Sequence, residues 1–376
     1  MGETIEYTLS ELFDLKMGKT PSRNNDDYWR EGIYKWISIA DLTKTGKYIS
    51  ETKELLSEKA IEESGISIIP ANTVIMSFKL SIGKTAITSE AMYSNEAIMS
   101  FHDRHITELI PDYIYYLLLA QRWNEGANKA VMGMTQNKAT ISKRKVRVHD
   151  IAQQNQIVEN LDKLQKLISQ RNEQLTQLDT LIKARFVEMF GDCKINPKRW
   201  NTRKLGEIAD VGSSKRVFVK ELQESGIPFY RGTEVGSLAE GKTIQPELFI
   251  TAEHYKELCE ATGAPKVGDL LMPSICPDGR IWVVNTKEPF YFKDGRVLWV
   301  HNVNSDYNPI FLLYTLKDRI MTDYLSIASG TTFAELKIFA LKDCQVFDVP
   351  KSIQNEFATF VAQVDKSKFD EFHIHK

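Results

Sequence analysis

The sequence predicts an α/β (α+β) fold written twice: two copies of one compact unit separated by long antiparallel coiled-coil helices, with pseudo-two-fold symmetry. Three observations carry this reading. Seven short segments recur in the same order at an offset that drifts only from 194 to 200 residues. A stretch free of Gly and Pro, Ile151 to Phe190, carries apolar residues at alternating spacings of four and three. Within each copy, short β-branched and aromatic runs alternate with turn signals and one apolar helical segment.

The first unit spans 1–150. Leu9 to Leu15 precedes Gly18, as Leu205 to Val211 precedes Gly212, and Gly32 to Trp36 matches Gly226 to Tyr230. Tyr34–Ile39 and Thr73–Phe78 read as strands; Gly18–Pro21 and Ser81–Gly83 read as loops. Thr73–Ser77 followed by Gly83-Lys84 matches Asp269–Pro273 followed by Gly279-Arg280. A helix is expected over Asp112–Trp123, with Pro111 near its start, and its counterpart begins at Asn308-Pro309. Gly133–Thr135 with Ile141 matches Gly330–Thr332 with Ile338, and Gln154–Ile157 matches Gln354–Phe357. The second unit spans 193–348, with strands over Val267–Met272 and Arg296–Val300.

The spacer helix spans 151–192. Its stripe is Ile157, Leu161, Leu164, Ile168, Leu175, Leu178, Ile182 and Met189, interrupted at Arg171 and Arg185. Gly191 and Pro197 supply the stop. Five basic and five acidic residues balance one another on its exterior, which suits a partner helix better than a membrane or DNA. At 1.5 Å per residue, about 40 residues make a rod of roughly 60 Å. A shorter helix over 349–376 repeats the spacing at Ile353, Phe357, Phe360 and Val364 and can pair with it antiparallel. Two unrelated surface helices are the alternative.

Composition narrows the function classes. A charged fraction of 26% and a hydrophobic fraction of 42% exclude a largely disordered chain. The longest strongly apolar stretch, around Tyr113 to Ala120, is far short of a bilayer span, so no membrane association is expected. The start lacks a basic region followed by an apolar one, and Glu6 breaks the myristoylation pattern. Four scattered cysteines fit a reducing cytoplasm rather than a disulfide scaffold. The net charge of -2 excludes a globally basic nucleic-acid coat, so any nucleic-acid surface must be local.

Several segments together resemble a known family. Gly18-Lys-Thr-Pro-Ser22, Tyr28-Trp29 and Gly32–Ile39 look like the first target-recognition domain of a type I restriction-modification specificity subunit. Gly133–Gln136, Ile151–Ile157 and Leu181–Asp192 are similar to that family's central helical region, its most specific part. The resemblance covers nearly the whole chain and includes the duplication. It implies a non-catalytic subunit of a methyltransferase/endonuclease complex. Each recognition domain reads one half of a bipartite site in double-stranded DNA. The helices set the spacer and dock adenine methyltransferase subunits, two in number; the partner-binding face of the long helix is Leu161, Leu164, Ile168, Leu175, Leu178, Ile182 and Met189. A motor-nuclease restriction subunit joins for cleavage. This chain needs no cofactor or metal; S-adenosylmethionine and ATP/Mg belong to the partner subunits. The resemblance also implies a second rod about as long as the first, whereas the helix over 349–376 covers only part of it.

DNA contacts call for Lys, Arg or hydrogen-bonding side chains on loops. In the first copy these are Lys19, Arg23 and Asn24 in a Gly/Pro/Asn-rich loop, then Lys79, Lys84 and Asn95 near the next turns. In the second copy they are Lys215, Arg216, Arg231 and Arg280. Gly83 and Gly279 recur as a tight turn or close approach would require. Each residue taken singly also fits a solvated surface charge on a plain hairpin. Lys143-Arg144-Lys145 with Arg147 is the densest basic run, either phosphate-facing or a solvated strand edge. Trp36 and Tyr230 fit the core better than a stacking platform.

Two other classes compete. Gly236 to Thr243 satisfies the P-loop pattern, but Pro246 opposes the helix a P-loop must open, so a turn is expected. A non-catalytic coiled-coil scaffold is the other. Asn308-Pro-Ile-Phe311 lacks the second Pro of an amine-methylating loop and reads as a helix start. His373 and His375 lack further metal ligands.

Overall fold

The computed structural model describes residues 4–123, 128–130, 133–135, 137–330 and 334–369. The chain divides into two compact units, 1–170 and 171–376. In chain order the first runs β1 (Ile5–Thr8), α1 (Leu9–Leu12), β2 (Phe13–Met17), β3 (Tyr34–Ile37), α2 (Ile39–Lys44), β4 (Tyr48–Ile49), β5 (Glu54–Leu56), α3 (Glu58–Ser64), β6 (Val74–Ser77), β7 (Lys79–Leu80), β8 (Thr85–Thr88), β9 (Tyr93–Ser94), β10 (Ile98–Asp103), α4 (Pro111–Leu119), β11 (Asn128–Ala130), β12 (Gly133–Thr135), α5 (Lys138–Ser142), β13 (Lys145–Val148) and α6 (Ile151–Phe190). The long helix α6 enters the second unit, which continues β14 (Thr202–Lys204), α7 (Leu205–Ile208), β15 (Asp210–Gly212), β16 (Ile227–Tyr230), α8 (Gly232–Ala239), β17 (Phe249–Ile250), α9 (Ala252–Thr262), β18 (Leu270–Pro273), β19 (Trp282–Val283), β20 (Tyr291–Phe292), β21 (Val297–His301), α10 (Pro309–Ile327), β22 (Ala328–Ser329), β23 (Glu335–Leu336), α11 (Ile338–Lys342), β24 (Gln345–Phe347) and α12 (Lys351–Phe369).

The two units repeat one topology. The main sheet is β2-β10-β6-β8-β4 in the first and β15-β21-β18-β19 in the second. A small second sheet, β5-β3-β9 or β17-β16-β20, holds one parallel pair in each copy, β3 with β9 and β16 with β20. The N-terminal strand of each copy closes antiparallel on its last one, β1 on β13 and β14 on β24. The apolar faces alternate into the core because successive strand side chains point to opposite faces. Val74, Met76, Met99 and Phe101 meet Ile114 and Leu118 of α4, just as Leu270, Met272 and Val300 meet Phe311 and Leu316 of α10. The first helix is shorter than the sequence suggests, ending at Leu119.

Strand register corrects three sequence matches. Leu15 pairs with Phe101 and Val211 with Val300, so the offset there is 196, and Gly212 stands where Lys16 does rather than where Gly18 does. Leu9 N–H donates to Arg144 O and Leu205 N–H to Cys344 O; Ile141 therefore corresponds to Leu341, not Ile338. Both are buried. Trp36 corresponds to Phe229, one residue before Tyr230, since Trp36 pairs with Tyr93 and Phe229 with Tyr291. Trp36 is buried, as expected, while Tyr230 is half-buried and stacks on Phe290 at 5.0 Å. Such slips arise because short loops absorb single insertions that sequence matching spreads along the chain. Residues Gln136, Thr331, Thr332, His373 and His375 lie outside the described residues.

Each copy fastens its following helix with a buried glutamine. Gln154 accepts from Ile110 N–H (3.2 Å) and donates to Glu108 O (2.8 Å) and His149 O (2.9 Å). Gln354 accepts from Asn308 N–H (2.8 Å) and donates to Asp306 O (3.1 Å) and Val349 O (2.8 Å). One amide thus satisfies three backbone groups that would otherwise be orphaned at the start of α4 or α10 and of the rod. The four cysteines are free: Cys193, Cys276 and Cys344 are buried, and Cys259 is half-buried.

Candidate nucleic-acid interface

In the second copy four loops meet at one end of the main sheet. The Ser214 hydroxyl donates to Phe292 O (2.6 Å), Lys293 N–H to Tyr230 O (2.9 Å) and Ser274 N–H to Arg296 O (2.9 Å). These bonds stitch the segments after β15, β16, β18 and β20 together. They frame an open cleft of about 400 Å³, lined among others by Arg231, Gly232, Pro273, Arg280, Lys293 and Arg296. Gly279 adopts φ +65°, which turns the chain to present Arg280.

Carboxylates hold the arginines of this cleft. Arg231 precedes α8; its N–H donates to Glu234 (2.8 Å) and its guanidinium pairs with Glu234 and with Glu247 (3.0 Å). Burial alone would raise the Glu234 carboxyl, but the Arg231 hydrogen bonds and the Thr233 hydroxyl outweigh it and bring it to about 2. Arg280 pairs with Asp278 (2.8 Å) and reaches toward Glu240 (3.7 Å). Arg296 pairs with Glu335. Lys293 has no carboxylate within ion-pairing distance among the described residues. Lys215 is exposed, and Arg216 pairs with Asp294 (3.0 Å), beside Lys293. Fixed guanidinium forks beside an ammonium outside any ion pair suit base-edge and phosphate acceptors respectively.

The first copy builds the same corner from different side chains. Lys19 N–H donates to Ser94 O (2.8 Å), Asn95 N–H to Ile37 O (3.0 Å) and Phe78 N–H to Ala97 O (2.9 Å). By register Ser38 stands for Arg231, Lys84 for Arg280, Asn95 for Lys293 and Ala97 for Arg296. Gly83 repeats the turn at φ +90°, and the Lys84 ammonium donates to Thr43 in α2. Lys79 is half-buried against Phe78 and Asn24 is exposed.

Three expected contacts are committed within the chain. Arg23 forms a two-pronged pair with Glu54 and lies over the Trp29 ring at 3.8 Å, with about half of its side chain still exposed. The Lys19 ammonium donates to Ser64 O. Arg144 turns back onto Arg122 O (3.0 Å) and Gln121, leaving Lys143 exposed beside a strand edge. Conversely, Lys293 and Arg296 were not singled out by the sequence; their signal is the basic flanks of the Asp294-Gly295 turn before β21.

The rod divides. In the first unit Lys47 pairs with Asp162 of α6 (2.7 Å) and with Asp112 (2.5 Å). Tyr116 donates to Asp162 and Tyr48 to Asp112 (2.7 Å). The Tyr48 hydroxyl is pushed up to about 12 by that bond and by burial. Leu161 is half-buried, whereas Leu164 and Ile168 are exposed, at 54% and 56%. In the second unit α12 runs antiparallel to α6: Arg185 pairs with Glu356 (3.0 Å) and Asp179 with Lys368 (2.8 Å). Ile182 is fully buried, and Leu178 and Met189 pack against the same core; Leu175 is half-buried. Ile182 is therefore not free for a partner. The buried face runs Ile182, Phe186, Phe190, a spacing of four, because here α6 packs on a globular core rather than on a heptad seam alone.

The P-loop pattern loses its geometry: Gly236 lies inside α8, and Lys242 follows the helix, paired with Glu240 (2.5 Å). No cluster of three metal-ligating side chains occurs among the described residues, and none of their helices is long and apolar enough to cross a membrane.

Comparison with known proteins agrees with the duplication. A family model of the type I restriction modification DNA specificity domain matches residues 2–177 and again 197–372. The chain is 23% identical to the type I restriction enzyme MjaIX specificity subunit of Methanocaldococcus jannaschii, over 94% of this chain and 84% of that one. It is 26% identical to the EcoR124I/EcoR124II specificity subunit of Escherichia coli, over 46% and 44%. Among solved structures, the S subunit from M. genitalium shares the fold with a TM-score of 0.50 at 16% identity, covering 98% of this chain and 90% of that one. A chain from a study of complex assembly and conformational transition of the type I R-M system gives 0.55 at 15%, covering 98% and 91%. The chain thus belongs to the type I restriction-modification DNA specificity family, as a specificity subunit with two recognition domains.

Proposed function

We propose that each recognition domain reads one half of a bipartite DNA site and that α6 and α12 set the unread spacer. The observation that supports this is one scaffold carrying unlike corners: Ser38, Lys84 and Asn95 in the first copy, Arg231, Arg280 and Lys293 in the second. A shared frame with different hydrogen-bonding groups is what two different half-sites require. The contact set is Asn24, Lys79, Lys84 and Lys143 in the first copy and Lys215, Arg216, Arg231, Arg280, Lys293 and Arg296 in the second. The exposed stripe of Leu164 and Ile168 docks adenine methyltransferase subunits, two in number, and a motor-nuclease subunit joins them. The chain has no catalysis or cofactor of its own; S-adenosylmethionine and ATP/Mg reside on the partners, and the complex works in the cytoplasm.

Long-read adenine-methylation profiling of source cells with and without the gene tests this. Loss of one bipartite motif on deletion is expected. Exchange of the loops in the first domain should then change one half-site only; a change in both halves refutes the two-reader assignment.

A further inference from the structure

The loop following β15 departs from its counterpart in a way the basic corner does not explain. Val217 is buried beside Phe229, Ile250, Leu258 and Tyr291, and Leu222 packs on the same cluster. Between these two anchors a single turn, Val219–Glu221, throws Phe218 and Val219 into solvent, 55% and 81% exposed. The turn is held from within: Phe218 N–H donates to Glu221 Oε2 at 2.7 Å, and Leu222 N–H to Val219 O at 3.2 Å. The two apolar side chains thus sit on a rooted projection rather than on a loose loop.

Three cations flank it, beside Glu221 of the turn and Glu224 beyond it. Lys215 and Arg216 precede the tip and Lys220 follows Val219, all three exposed. Arg216 pairs with Asp294, next to Lys293 in the cleft. In the first copy the equivalent loop carries Ser22, Asn24 and Asn25, while of its two aromatic residues Tyr28 donates to Glu63 at 2.8 Å and Trp29 is folded under Arg23 and donates to Ser22 O at 3.1 Å. At the loop's tip the first copy thus presents Asn24 and the second an apolar point flanked by Lys and Arg.

We propose that Phe218 and Val219 form a wedge that enters a base step of duplex DNA at the second half-site and unstacks it. The flanking cations fit the occupant to a polyanion, and an apolar side chain on a rigid mount is the form that partial intercalation takes. A prebuilt turn leaves little ordering cost at binding. The wedge would read the step by its deformability, favouring a flexible pyrimidine–purine step where a base-edge contact is absent. This inference rests on the DNA reading proposed above.

The test uses the full chain, alone and with its methyltransferase subunits, on a duplex carrying the mapped site with 2-aminopurine placed step by step through the second half-site. The wild type should raise fluorescence at one step. Phe218→Ala with Val219→Ala should abolish that rise and weaken binding by about tenfold, with the salt slope and the first half-site preference unchanged. Phe218→Leu should retain most of both, and thermal unfolding checks that each variant is folded. A double variant that keeps the fluorescence rise or the affinity overturns the wedge. So does a loss accompanied by a smaller salt slope, since the tip would then only position cations. Wild-type chain that selects no duplex overturns the DNA reading and the wedge together, which separates the two failures. Variant-sensitive binding to anionic phospholipid vesicles, without effect on DNA, also overturns it.

Discussion

Replacing Gln354 with Leu should destabilise the second unit out of proportion to the atoms removed. The Gln354 amide is buried and makes three hydrogen bonds, accepting from Asn308 N–H and donating to the carbonyls of Asp306 and Val349. Leucine fills much the same volume, so little cavity is created. What remains is one donor and two acceptors without partners, each costing about 1–3 kcal/mol when buried, less whatever water recovers. With Lys351 and Asn355 still tying the segment, through Ser305 O and Asn308, a net loss of about 3 kcal/mol is expected. Denaturant unfolding followed by circular dichroism reads it, as a lower midpoint with unchanged slope. Gln354→Glu separates shape from bonding. A carboxylate can still accept from Asn308 N–H but faces two carbonyl oxygens, so this variant should be weaker at pH 7 than at pH 4, where it can be protonated. If the Leu variant loses less than about 0.5 kcal/mol, the three bonds are not what fixes the helix start, and the clamp argument fails.

Other outcomes follow from the same geometry. Glu234 sits at about 2 against an ordinary 4.5, so it is a depressed acid whose stabilisation is full above about 4.5 and is lost as pH falls through about 2. Acid unfolding of the wild type should show this loss, and Glu234→Gln should remove that part of the pH dependence. Lys47→Ala leaves Asp112 and Asp162 facing each other without their cation. A loss of about 2 kcal/mol in the first unit is expected, with partial recovery in Lys47→Ala combined with Asp162→Asn. Lys293→Ala should weaken binding to all sequences and lower the salt slope by about one, whereas Arg280→Ala should relax selection at the second half-site alone. The opposite pattern would exchange their roles.

The duplication and the rod were legible because they rest on long-range recurrence and periodicity. Gln154 and Gln354 were visible as a repeated pair, and the end of the helix from Ile151 to Phe190 was marked by Gly191 with Pro197 beyond it. Register was less legible. Tyr230 was matched to Trp36 by aligning Gly226 with Gly32, yet a one-residue slip puts Phe229 in the buried position instead. The cations of the interface were found as a class, not individually. Nothing local distinguishes Arg23, clasped by Glu54 thirty-one residues away, from Arg280, held at a cleft mouth. Lys293 and Arg296 escaped notice because their importance comes from the loops that β-pairing brings beside them. The inward face of α6 was legible at Leu178, Ile182 and Met189, but a heptad count cannot foresee the globular core that also takes in Phe186 and Phe190.

The free thiols give the molecule an intrinsic clock. Burial pushes the thiols of Cys276 and Cys344 up to about 12 and about 11, and raises that of Cys193 further. Thiolate, the reactive form, is thus scarce at the three buried positions, and a reagent must also wait for the core to open. Cys259, half-buried on α9, is the one within reach in the native state. A maleimide chase of the unaltered sequence should therefore label once quickly and three times slowly. The slow phases time the opening of the second unit, where all four cysteines lie, without adding a probe to the first. A fluorophore confined to Cys259 would place a reporter in the domain that carries the cationic cleft, with every other residue left native.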